Sequence, residues 1–146
     1  MKIAIASDHR GYALKETLKA LLEKLGHEAL DFGTSSDESC DYPDYIIPAA
    51  EAVARGEAER GIVICGTGIG ASIAANKVKG VRAARCASIY DAEMARRHND
   101  ANVLALGADT LAPGYAAHIV KTFLATEFEG GRHERRLGKI AEYEAR

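Results

Sequence analysis

The run Cys65-Gly66-Thr67-Gly68-Ile69-Gly70-Ala71-Ser72 sets a thiol between a short apolar stretch and three alternating glycines. Glycine permits positive φ and close approach by a ligand, and free amides where a helix starts attract developing negative charge. A thiol in that place is favoured as the thiolate. Two other readings of the same residues stand beside this one. Gly66, Gly68 and Ala71 satisfy the loose G-x-G-x-x-G/A dinucleotide pattern. That pattern falls on the third apolar run rather than the first, however, and no acidic ribose partner follows near Arg85-Cys86. The remaining reading is a buried core thiol, the usual fate of a free cysteine.

Three further groups of residues could serve the same chemistry. His98 and Asn99 close a helical segment, where a histidine also suits the helix dipole; together they offer an imidazole for acid–base work and an amide donor for an oxyanion. Asp8-His9 follows the first apolar run, with a local turn role for Asp8 as the competing reading. In Gly130-Gly131-Arg132-His133-Glu134-Arg135-Arg136, helical geometry sets Arg132 and Arg136 one turn apart on one face. That spacing suits a phosphate dianion gripped from two directions, although a solvated basic tail would look the same.

Positioning these residues requires a scaffold, and the hydrophobic pattern predicts one. Ile3–Ala6, Ala29–Phe32, Gly61–Cys65, Val81–Cys86 and Val103–Leu106 read as short buried strands. Helical periodicity marks 11–25, 44–55, 70–78, 91–98 and 113–126. In the first helix Leu14, Leu18, Leu21, Leu22 and Leu25 share a face, with Lys15, Glu16, Lys19, Glu23 and Lys24 largely opposite. Gly33 to Pro43 reads as a polar loop. Strands alternating with helices imply right-handed βαβ units. The expected fold is a single α/β domain over 1–146, a Rossmann-like three-layer αβα sandwich with a five-stranded parallel sheet and a C-terminal helical tail. Ligands in such folds sit beyond the carboxyl ends of the strands, where Asp8, Cys65 and the residues after Leu106 fall.

Composition narrows the function classes. A net charge of −2 gives no electrostatic case for nucleic acid or an anionic membrane. No apolar run approaches the roughly 20 residues of a membrane helix, and the N-terminus does not read as a signal peptide. Three cysteines, widely spaced and without a C-x-x-C pair, argue against a disulfide framework or thiolate metal site and for the cytoplasm.

Taken together, the chain resembles the ribose-5-phosphate isomerase B family, which also includes galactose-6-phosphate isomerase subunits. The resemblance rests on Ile5-Ala6-Ser7-Asp8-His9, Asp41-Tyr42-Pro43-Asp44-Tyr45, Ile64 through Gly70, Ala74-Ala75-Asn76-Lys77, Arg97-His98-Asn99-Asp100 and Thr126 through His133. It implies aldose–ketose isomerisation through a cis-enediolate, with no cofactor and no metal. It further implies Cys65 as the base moving a proton between C1 and C2, and His98 as the group opening the furanose ring. Thr67, Asn99 and the amides of Gly66, Gly68, Ile69 and Gly70 would stabilise the enediolate. Asp8 and His9 would contact sugar and phosphate, Tyr42 would line the pocket, and Arg132 and Arg136 would bind the phosphate. A family branch places its base as a glutamate just after the last glycine; here that residue is Ala71. The family often carries arginine where this chain has Asp109, an acidic side chain that would repel phosphate. The resemblance also implies a homo-oligomer, dimer or tetramer, with sites shared between subunits. A 6-phosphate aldohexose substrate, such as allose or galactose 6-phosphate, and a non-catalytic nucleotide- or sugar-phosphate-binding module are the alternative functions.

Overall fold

Strands apolar along their whole length must be covered on both faces, and here they are. The structure, a computed structural model, describes residues 1–146. β1 (Lys2–Ser7), β2 (Glu28–Asp31), β3 (Arg60–Cys65), β4 (Ala83–Arg85) and β5 (Val103–Gly107) form one sheet in the order β2-β1-β3-β5-β4. Every adjacent pair is parallel. The expected three-layer α/β sandwich is therefore present, with helices α1 (Tyr12–Lys24), α2 (Pro43–Ala54), α3 (Ile69–Ala75), α4 (Ile89–Asn99), α5 (Pro113–Ala125) and α6 (Arg132–Glu144).

Alternation along the strands sorts the core by size. Ile3, Ile5, Ile62, Ile64, Leu104 and Leu106 point to the face covered by α1, α4 and α5, meeting Leu14, Leu18, Ile119 and Phe123. Ala4, Ala6, Val63 and Ala105 point to the opposite face, where α2 and α3 offer Ala49, Ala50, Ala71 and Ala75. Cys65 belongs to this second, small-residue side. Its sulfur is therefore directed toward the start of α3.

Two elements depart from the sequence expectation. Lys15 does not join the solvent face of α1 but is fully buried, because Asp31 at 2.7 Å and Glu16 at 3.0 Å accept from its ammonium. β4 is three residues rather than six. The Val81 amide donates to Val78 in a turn, the Arg82 amide donates to the Asn102 side chain, and Asn76 brackets Ala83 at both N and O. These bonds engage the backbone at 81–82 outside the ladder. The C-terminal tail is helical as expected; of α6 only His133 is buried.

Candidate active site

The chain leaves β1 for β2 on one side and crosses back to β3 on the other, so the sheet's switch point lies between β1 and β3. At such a point the loops after the two strands diverge and open a crevice. Here they carry Asp8-His9-Arg10 and Cys65 through Gly70. The Gly68 amide donates to Cys65 Sγ at 3.2 Å, a bond that strengthens as the sulfur becomes anionic. Gly68 adopts φ 77°, and a β-carbon there would sit 2.8 Å from the Leu106 carbonyl carbon. Only glycine aims that amide at the sulfur without strain. Thr67 Oγ1 accepts from the Ile69 amide at 3.2 Å. The Ala108 and Asp109 amides donate to the Cys65 and Gly66 carbonyls at 2.9 Å, fastening the loop to the end of β5.

The other residues expected on this side are present with distinct tasks. Asp8 is buried, and its Oδ1 accepts the Arg10 and Gly11 amides at 3.0 and 3.1 Å. It therefore shapes the turn that presents His9. His9 Nδ1 accepts the Cys40 amide at 3.2 Å, which leaves Nε2 as the proton-bearing nitrogen of the neutral ring. The Tyr42 ring lies against Gly70.

Sequence reasoning missed three neighbours. Arg10 lies over Gly66, where a β-carbon would meet its guanidinium carbon at 2.6 Å, and it is ion-paired with Asp109. The acidic side chain at 109 is thus matched by a cation across the crevice. Arg85 Nε donates to the Thr67 carbonyl at 2.8 Å and holds the loop from the β4 side. Cys40 Sγ lies 3.9 Å from His9 Nδ1. Arg10 directly follows the Asp8-His9 pair, which was the one available signal; the pairing itself spans 99 positions. The third cysteine differs in kind, since burial, then the nearby Asp91 carboxylate, push the Cys86 thiol up to about 12.

His98, Asn99, Arg132 and Arg136 lie elsewhere. The Gly61 amide donates to the Asn102 carbonyl, so the segment following α4 meets the sheet at the start of β3. Cys65 is at the far end of that strand, four residues or about 13 Å further along. The Asn99 carbonyl accepts from Arg82, just before β4, at the same lower edge. His98 stacks on His133 of α6, the ring centroids 4.2 Å apart and the planes 12° from parallel. Arg132 opens α6 beside that stack. Within one chain the thiol and the imidazole therefore stand at opposite edges of the sheet. A groove of about 330 Å³ near the lower edge is lined by Asn76, Asn99 and Leu137, and Cys65 lines no cavity of the single chain.

Fold and loop define a parallel α/β protein whose switch point holds a cysteine sulfur by a main-chain amide. The sequence matches the ribose/galactose isomerase family over residues 3–140, and the chain belongs to that family. It is 48% identical to ribose-5-phosphate isomerase B of Escherichia coli, covering 99% of this chain and 97% of that one. The structure of the Clostridium thermocellum ribose-5-phosphate isomerase B superposes with a TM-score of 0.98 at 57% identity, covering 99% and 98% of the two chains. That of the Mycoplasma genitalium ribose-5-phosphate isomerase B with bound ribulose-5-phosphate gives 0.95 at 43% identity, covering 99% and 96%. No helix of this chain is long and apolar enough to cross a membrane.

Proposed function

We propose that the protein interconverts ribose 5-phosphate and ribulose 5-phosphate through a cis-enediolate, with the Cys65 thiolate as base. The observation that carries this reading is the Gly68 amide donating to Cys65 Sγ at the switch point of the sheet. An α-carbon proton is weakly acidic, so the reaction needs a placed base and donors aimed at the oxygen that becomes negative. The thiol loop brings both within one turn of chain.

The opposite placement of the remaining groups supports a homo-oligomer in which a second copy supplies its own His98, Asn99, Arg132 and Arg136 to the crevice. Ile69 and Ile73, one turn apart on α3 beside the loop, are 50% and 56% exposed and offer an apolar face for that copy. In the assembled site His98 takes the O1 hydroxyl proton and delivers it to the ring oxygen O4 as the C1–O4 bond breaks, giving the open aldehyde. The thiolate then removes the C2 proton, and the negative charge formed at O1 is held by loop amides and Asn99. The thiol returns its proton to C1 as the O2 hydroxyl proton passes to O1, which leaves the 2-ketose. No electron leaves the substrate, so the step balances without a redox partner. The phosphate does not react; its contacts to Arg132, Arg136 and His9 hold the sugar in register.

The test is an isomerase assay across ribose 5-phosphate, allose 6-phosphate and galactose 6-phosphate. Preferred turnover of ribose 5-phosphate is expected. Preference for a hexose phosphate would overturn the substrate, and inactivity on all three would overturn the enzyme.

A further inference from the structure

His133 is the one buried residue of α6, 7% exposed, and its Nε2 has no hydrogen-bond partner. A buried imidazole nitrogen left unpaired is costly, so its position requires a compensating role. Its ring covers that of His98, the plane-to-plane angle being 12°. Behind it stands Glu129, whose Oε1 is 3.7 Å from Nε2. Glu129 is itself fixed on α4: its amide donates to the Arg97 carbonyl at 3.0 Å, and its Oε2 accepts Arg97 Nε at 2.5 Å. Arg97 is held in turn by Glu93 at 3.0 Å.

We infer that His133 is a positioning residue for His98, its buried flat ring fixing the plane in which the His98 imidazole meets the sugar's ring oxygen. The inference rests on the reading of His98 as the ring-opening group. The charged and titratable groups facing His133 are His98 from α4, Glu129 from the preceding loop, and Arg132 and Arg136 from its own helix. Burial, then the proximity of His98 and Arg132, hold His133 below the usual imidazole range, with Glu129 opposing. A neutral His133 can stack on His98 without adding a second cation. The three side chains also bring ligand atoms within 4.8 Å of one another. With the rings nearly parallel, however, their in-plane lone pairs run side by side rather than converging on one ion. The cluster is a stack.

The experiment compares ribose 5-phosphate with 4-deoxyribose 5-phosphate, which lacks the hydroxyl that closes the furanose and needs no ring opening. His133→Ala is expected to lower kcat/KM on ribose 5-phosphate about tenfold or more and to leave the deoxy substrate within about twofold. His133→Phe, which restores a flat ring, is expected to recover most of the loss. Equal losses on both substrates would mean that α6 is merely disturbed, and would overturn the inference. So would a Phe variant no better than Ala. Should His133→Ala not fold, His133→Leu takes its place with the same outcomes. His98→Asn serves as the control: if it affects both substrates equally, the ring-opening role itself fails, independently of His133.

Discussion

Opposite placement of Cys65 and His98 has a quantitative consequence for mixtures of inactive variants. Cys65→Ala removes the base, and His98→Asn removes the ring-opening imidazole; each homo-oligomer lacks one essential group in every site. If each site joins the thiol edge of one chain to the imidazole edge of another, a mixed pair contains one site missing both groups and one missing neither. Random exchange of equal amounts gives a roughly 1:2:1 distribution of pairs, so about half the pairs are mixed and half their sites intact. Recovery of about one quarter of wild-type activity is expected. The four-residue, roughly 13 Å offset along β3 is what forbids the alternative, because no rotamer of His98 spans it. The assay exchanges differently tagged variants in mild urea, isolates the doubly tagged species, and follows ribulose 5-phosphate formation. The isolated mixed pair should show about half of wild-type activity. Doubly tagged material with no activity beyond the two parents would refute the reasoning, since sites built within one chain cannot complement.

Three other outcomes follow from the same arrangement of residues. Iodoacetamide at neutral pH should modify the half-buried Cys40 and spare the buried Cys86, whose thiol is pushed up to about 12; labelled Cys86 in a native peptide map would contradict its burial. Gly68→Ala forces a left-handed residue costing about 1–2 kcal/mol and displaces the amide from Cys65, a charged hydrogen bond worth about 1.5–3 kcal/mol. Its kcat should fall roughly tenfold to a hundredfold, and an unchanged kcat would show that the amide does not serve the sulfur. Asp31 is pushed up by burial but held below the usual carboxylate range by the stronger combined effect of Lys15, Lys19 and the Gly33 amide. Its folded value lies below its unfolded one, so this stabilisation is present above about pH 4 and is lost as pH falls further. Asp31→Ala, which leaves the buried Lys15 ammonium with Glu16 alone, should cost about 1–3 kcal/mol at pH 7. The gap from wild type in urea melts should narrow at pH 3; a gap independent of pH would exclude the ionic account.

Much of this architecture was legible because it is written in local periodicity. Five apolar runs gave five strands, and the Gly-Thr-Gly-Ile-Gly stretch after Cys65 gave the thiol loop. His98 and Asn99 fell at the end of α4 as expected, with Asp100 in the left-handed conformation just beyond. What spacing does not encode is partnership over distance. Nothing local tells that β5 lies between β3 and β4, and that order together with the parallel register carries the end of α4 to the edge away from Cys65. The Arg10–Asp109 pair was invisible for the same reason: Asp109 alone reads as a charge hostile to phosphate, and only the fold sets a guanidinium opposite it. Lys15 resembled any solvent-facing lysine until Asp31 was brought beneath it by the β1–β2 pairing. Asp8 shows the converse, where the modest turn reading accounts for both amides its carboxylate accepts.

The alanine layer between the sheet and the α2–α3 side sets where this protein can change. Ala6, Ala71, Ala75 and Ala105 leave no slack, so even one added methylene behind the thiol would push α3, and the turn attached to it, out of line. New sugar preferences must therefore be written on the rim, in Arg10, Asp109, Arg85 and whatever faces them. The wall behind the sulfur is a fixed datum, and the crevice is tuned from its lip.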